Sequence, residues 1–279
     1  MNTRLLVRSL GRHVLLIILL GFLLAPTVIM VSTSFKPYSE VNTWPPQLIP
    51  DEATVSSFTA VLIDPAYDFG RAFLNSSIIA VGTAVVSVVL GLPAAYAIRR
   101  FTFTGRTVFL FAVLVTQMVS PALFIMPLYQ VMNGLGLLNT YIALIIGNSA
   151  ITLPVVIWLL SAYLRGVPIV LEEAAMVDGA SRLSALIRVV LPISAPGILA
   201  AGAYAFVHAW NDLVFALAFV TNTNMHPITR ALDRFAAENV VRWDLTMAAS
   251  TLSVIPILLL FILLQRHLLH GVAVGAIKE

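Results

Sequence analysis

Four side-chain amides stand inside long apolar runs: Asn75, Gln117, Asn148 and Asn211. A polar group at membrane depth is costly and usually has a task. An amide both donates and accepts, which suits a hydroxyl-rich neutral solute such as a sugar better than a charge would. These four are therefore candidates for lining a path, and interhelical hydrogen bonding, about 0.6 kcal/mol per bond, is the other use open to them. His208 and Asp212 are four residues apart and share a helix face. With no other acid or base inside an apolar run, they read as a structural pair rather than a proton relay. The five histidines, His13, His208, His226, His267 and His270, fall on different segments without ligand spacing, so no metal site is expected. Cysteine is absent. No nucleophile and base converge, and no glycine-rich phosphate loop carries a lysine. The chain is expected to catalyse nothing.

The elements that must position these groups are long and apolar. Of 279 residues, 59% are hydrophobic and 10% charged, where soluble domains carry about a quarter charged. Lipid must be the solvent. Six stretches approach the ~20 residues that cross a bilayer as a helix: about 13–34, 72–98, 107–132, 140–164, 193–220 and 245–265. Their length and continuity exclude barrel strands, so an all-α membrane protein is expected. The first stretch follows Arg4, Arg8 and Arg12 and is read as an uncleaved helix, being long for a signal peptide and lacking a small-x-small site. With the N-terminus inside, the inner segments hold Arg4, Arg8, Arg12, Arg99, Arg100, Arg106, Arg165, Arg182, Arg188, Arg266 and Lys278. The outer ones hold Lys36, Arg71, Arg230, Arg234 and Arg242. That bias puts both termini in the cytoplasm. The scatter of arginines at segment ends argues against nucleic-acid binding, despite a net charge of +3.

Two outer loops are long. Residues 35–71 carry Pro37, Pro45, Pro46, Pro50 and Pro65 and are expected along the membrane surface. Residues 221–244 have a turn-rich tip at Asn222, Asn224, His226 and Pro227. Prolines within crossings (Pro26, Pro93, Pro121, Pro127, Pro154, Pro256) serve as hinges or as static packing. No internal repeat stands out, and one domain is expected over 1–279.

The inner loop, 165–192, has the strongest internal punctuation. Pro168 suits the first turn of a helix, and Glu172 and Glu173 follow where the helix dipole favours carboxylates. Ala174 and Ala175 form helix while leaving room for another surface to approach. Gly179 sits where a left-handed cap would end the helix. Ser181 then caps a second helix from Arg182 to Val190, which Pro192 and Pro196 are expected to end. By helix signals alone, this is either a docking element or an ordinary surface helix.

The spacing decides between them through a resemblance. Glu173-Ala174-Ala175, Gly179, Val189 and Leu191-Pro192 resemble the signature of ABC-importer permeases, with Asp178 and Pro196 fitting the carbohydrate branch. Val189 stands where isoleucine is commoner. Ser34-Phe35-Lys36-Pro37, Asn75-Ser76, Ala209-Trp210-Asn211-Asp212 and the tail Gln265-Arg266, Gly271, Gly275-Ala276-Ile277-Lys278 are similar to the shorter channel subunit of maltose-type importers. The resemblance implies a six-helix permease half-channel in a bacterial or archaeal cytoplasmic membrane, with 165–192 as coupling loop. Its partners would be a second permease, an ABC ATPase dimer carrying ATP and Mg, and an extracytoplasmic sugar-binding protein. Glu173, Ala174, Ala175, Asp178, Gly179, Arg182, Leu191 and Pro192 would serve ATPase coupling, and the 221–244 loop would meet the binding protein. A sugar or oligosaccharide is the expected solute. A polyol, glycerol-phosphate or amino acid carried by the same machinery, or a secondary transporter, are the alternatives.

Overall fold

The computed structural model describes residues 3–45, 47–65, 67–237 and 242–276, with side chains described between 11 and 265. Pro46 and residues 277–279, with Lys278, lie outside the described residues. So do the side chains of Arg4, Arg8, Arg266, His267 and His270. The described residues are helical, without a strand, and their contacts fall into two units: 1–69 with 232–255, and 70–231 with 256–279.

In the first unit, α1 (Thr3–Ser34) leads to two short helices, α2 (Tyr38–Val41) and α3 (Ser56–Ile63). Side chains 11–29 of α1 are all exposed. An apolar run this long and this exposed requires lipid or another chain around it. The expected surface loop 35–71 is thus folded: the Glu40 carboxylate accepts from the backbone N–H groups of Asp51 and Glu52, both at 3.2 Å. Phe35 meets Phe58 at 5.0 Å between ring centroids. Asp244 is buried and takes a two-pronged contact from Arg242 at 2.7 and 3.0 Å, with the Ser57 hydroxyl 3.4 Å away. Donating to the Asp244 carboxylate, the Arg242 guanidinium holds its proton more tightly than usual.

The second unit opens with α4 (Phe69–Arg100). The expected third crossing, 107–132, is broken. α5 (Arg106–Val115) and a following 3-10 turn meet α6 (Pro121–Gly134) at 96°. Proline at 121 cannot extend the preceding helix and instead starts a new one, capped by Ser120, whose Oγ accepts from the Ala122 N–H. α7 (Tyr141–Leu164) is uninterrupted. α8 (Val170–Val177) and α9 (Arg182–Ala185) form the inner loop. A π-turn at Leu186–Val190 leads into α10 (Leu191–Trp210).

Two expected boundaries move here. Pro192 and Pro196 do not end the second loop helix. The Leu191 N–H reaches back five residues to Leu186 O, a widening that passes the helix through proline without a break. The fifth crossing then stops at Trp210, short of 220, because Asn211 turns its Nδ2 back onto Val207 O and Asp212 caps a new helix, α11 (Val214–Phe219). α12 (Ile228–Ala237) and α13 (Trp243–Ala276) complete the chain, α13 running past the expected end at 265. Among the described residues, five single helices are long and apolar enough to cross a membrane, and six spans result when the bent pair counts as one.

α4, α7 and α10 share a core of Ala95, Tyr96, Val156, Leu160, Leu164, Val190, Ala201 and Ala205. Small residues allow this approach, as is usual where lipid supplies no hydrophobic drive. A Cβ on Gly91 would lie 2.8 Å from Val156. Ser87 and Thr152 share a buried hydrogen bond of 2.8 Å.

Candidate functional site

The inner loop folds as helix, sharp turn, helix. α8 starts at Val170, so Pro168 stands just before it, its carbonyl accepting from the Leu171 N–H. Gly179 has φ +90°, the Gly179 N–H bonds to Met176 O, and the Ala180 N–H bonds to Ala175 O at 3.0 Å. That pair of bonds is a Schellman cap, and φ in this region is why glycine stands there. The Ser181 hydroxyl accepts from the Ser184 N–H and caps α9, as its position predicts.

The two glutamates diverge. Adjacent helix residues point about 100° apart, so one faces the protein and one faces away. Glu172 is 3% exposed: Tyr96 Oη donates to its Oε2 at 2.9 Å, and Arg100 Nε lies 2.5 Å from its Oε1. Glu173 and Ala174 are exposed, Ala175 is half-buried, and Val177 is 86% exposed. Asp178, Gly179 and Ala175 border a surface hollow of about 520 Å³ with Ser184 and Arg188. Arg182 is exposed and its guanidinium lies 5.1 Å over the Phe101 ring. Leu191 is half-buried and Pro192 exposed. The Glu172–Arg100–Tyr96 cluster is absent from the sequence expectations. The sequence held only its parts: Glu172 and Glu173 point about 100° apart on one helix, and Arg99-Arg100 close the earlier apolar run at 72–98.

The four amides part into two pairs. Asn75 is buried. Its Nδ2 donates to the carbonyls of Asn224 and His226, both at 3.0 Å, and its Oδ1 accepts from Tyr141 Oη at 2.8 Å. Asn148 is also buried, donating to Leu144 O and to Asp212 Oδ2. Gln117 and Asn211 are exposed. Asn211 borders a cavity of about 710 Å³ with Tyr204, His208 and Asp212. Gln117 borders a neighbouring one of about 340 Å³ with Thr116, Phe124 and His208. The two cavities share Pro121 and His208, and the first is bordered by both Pro121, at the start of α6, and the break at 211–213.

Asp212 does not hydrogen-bond His208. It caps α11, accepting from the N–H groups of Val214 and Phe215 at 3.1 and 3.2 Å. His208 instead lies beside Tyr204, 6.2 Å between ring centroids. Among the described residues no three His, Asp or Glu side chains are placed to hold a metal ion.

The turn at the opposite end of α4 from the inner loop is built by Asn139, Asn75 and Ser76. Asn139 Oδ1 accepts from the Thr221 N–H at 2.7 Å, Thr221 Oγ1 at 3.1 Å and the Asn222 N–H at 2.8 Å. Ser76 Oγ accepts from the Ile228 N–H at 2.8 Å.

Residues 87–274 match the family model described as binding-protein-dependent transport system inner membrane component. The chain is 33% identical to the diacetylchitobiose uptake system permease protein DasC of Streptomyces coelicolor, over 95% of this chain and 96% of that one. It is 34% identical to the trehalose/maltose transport system permease protein MalG of Thermococcus litoralis, over 83% and 84%. Its fold is similar to a chain of a bacterial ABC transporter involved in the import of the acidic polysaccharide alginate. That likeness has a TM-score of 0.82 at 23% identity, covering 95% of this chain and 98% of the other.

Proposed function

Because the chain belongs to the family of binding-protein-dependent transport system inner membrane components, we propose that it is one transmembrane domain of a sugar importer, forming half of the translocation path and taking its drive from a separate ABC ATPase. The observation that carries this reading is the inner loop. α8 is capped at Gly179 and turns Glu173, Ala174 and Val177 outward, while Glu172 is tied inward. An exposed helix with small side chains at its centre and a sharp end is shaped to enter a cleft on another protein.

Glu173, Ala174, Ala175, Asp178 and Gly179 meet the ATPase in this reading, and Arg182, Leu191 and Pro192 set the second helix behind them. ATP and Mg stay on the ATPase dimer. The termini and the loop lie in the cytoplasm, supported by the excess of Arg and Lys on that side. A second permease completes the path, and a binding protein delivers the solute from outside. Gln117 and Asn211, with Tyr204 and His208, contact the solute. Relatives named for diacetylchitobiose and trehalose/maltose support a sugar as cargo. Closure of the ATPase dimer moves α8, and that movement tilts the helices around the cavity by rigid-body rotation.

The test is affinity purification of the tagged chain from its native membrane in mild detergent, followed by mass spectrometry. Recovery of a P-loop ATPase and a second permease is the expected result. A chain recovered alone, with no ATPase captured even by cross-linking from position 173, would overturn the reading.

A further inference from the structure

α4 grips two segments that lie far apart. At its C-terminal end, Tyr96 and Arg100 hold Glu172 of α8, and Arg100 Nη2 also donates to Val167 O at 3.0 Å. Arg99 Nε donates to Ser161 O and Oγ at 2.7 and 2.8 Å. Just beyond, Phe101 packs edge-on against Tyr96 and lies under Arg182 of α9. Both arms of the inner loop, on either side of Gly179, are thus fastened to one helix end. Near its N-terminal end, Arg71 Nη1 donates to Asn224 Oδ1 at 2.8 Å, Asn75 holds the Asn224 and His226 carbonyls, and Ser76 holds the Ile228 N–H. Ser76 and Arg100 are about 36 Å apart along the axis, at roughly 1.5 Å per residue.

The covalent connections of the inner loop are softer than this. α7 reaches α8 through the turn at 165–169, and α8 reaches α10 through left-handed Gly179 and the π-turn at Leu186–Val190. α4 is one helix of 32 residues. Its grip on Glu172 is a buried ion pair with a further hydrogen bond, and such a pair resists separation because parting strands a desolvated charge.

We propose that α4 is the element through which motion of α8 reaches the 222–228 turn, with Glu172, Arg100 and Tyr96 as positioning residues for that transfer. The proposal rests on the docking reading given above. It divides the glutamate pair: Glu173 is left for the ATPase, and Glu172 is the internal hook by which the docked helix pulls α4. The far end of α4 then moves the Asn224–Ile228 backbone directly, through hydrogen bonds to main-chain atoms.

The experiment uses the assembled importer in lipid nanodiscs. Hydrogen exchange of the 222–228 peptide is compared without nucleotide and after trapping with ATP, Mg and orthovanadate. In the unmodified importer, trapping changes the exchange rate of this peptide by at least about fivefold, the low end of couplings between distant sites. Glu172→Gln and Arg100→Gln remove that change and leave exchange without nucleotide as it was. Tyr96→Phe, which deletes only a hydroxyl, reduces it, and Arg100→Lys, which keeps the charge, retains part of it. A side chain that merely stabilised the fold would alter the nucleotide-free rate instead. Persistence of the full change in Glu172→Gln and Tyr96→Phe, or its absence from the unmodified importer, overturns the proposal. Ala174→Arg separates the two readings. Loss of copurified ATPase in Ala174→Arg together with an intact change in Glu172→Gln leaves docking standing and removes the α4 transfer. ATPase retained at full yield in Ala174→Arg removes docking itself.

Discussion

Gly197 of α10 lies against Tyr163 of α7 so closely that a Cβ there would sit 2.3 Å from the ring Cγ. An aromatic ring cannot yield as the tip of a flexible chain does. Gly197→Ala is therefore expected to destabilise the protein by about 1–3 kcal/mol, the usual cost of overpacking. Gly202→Ala is the control, since its Cβ would meet Val88 at an ordinary 3.6 Å. Thermal unfolding in detergent should show a lower midpoint for the first variant and not for the second.

Gly179 presents the opposite case. No atom lies within 4 Å of a Cβ there, yet φ is +90°. Only backbone strain opposes substitution, at about 1–3 kcal/mol. Gly179→Val should misdirect the end of α8 and lose most copurified ATPase at normal expression. Gly179→Asn should lose less, because asparagine visits the left-handed region more readily. Equal ATPase recovery in both variants and in the unmodified chain would count against a docking role for this turn.

Asn139 ties the 221–222 backbone through one oxygen. Asn139→Ala leaves those N–H groups without a protein partner; because they are exposed and water can replace the amide, the loss is about 0.5–1.5 kcal/mol, the net worth of a hydrogen bond. It also forces alanine to φ 59°. Amide exchange at Thr221 and Asn222 should accelerate by about tenfold for each 1.4 kcal/mol, read by hydrogen-exchange mass spectrometry.

The amides are expected to divide by phenotype. Asn75→Ala and Asn148→Ala empty buried hydrogen-bond positions and should lower the unfolding midpoint. Gln117→Ala and Asn211→Ala each remove one exposed hydrogen bond, to Ile151 O and Val207 O, and border open cavities; they should lower the midpoint less than the buried pair while transport falls. A normal transport rate in both of the latter variants would remove them from the path.

Much of this was legible in the sequence, and what was not has identifiable causes. The capped loop helix was readable because its punctuation acts locally, Gly179 through its own backbone and Ser181 through its hydroxyl on the Ser184 N–H. The broken third span was not, because Pro121 inside an apolar run reads equally as a kink or as a new helix start, and only Ser120 capping separates the two. The stop at Trp210 was available in Asn211-Asp212, a cap followed by a restart, but hydrophobicity continues through 220 and masks it. Glu172 shows the remaining limit. Its partners are 72 and 76 residues away, and burial alone reveals which carboxylate of the pair faces inward.

The 96° elbow between α5 and α6 also bears on the surrounding lipid. Its limbs, 106–118 and Pro121–Gly134, are roughly 20 Å long each, whereas the hydrocarbon layer is about 30 Å thick. When one limb stands along the membrane normal, the other lies close to the plane, so this stretch covers only about two-thirds of the depth. Acyl chains beside it must thin to match, or water must fill the wedge at the break. Hydrophobic mismatch is thus concentrated on this flank, where a thicker bilayer strains the protein first.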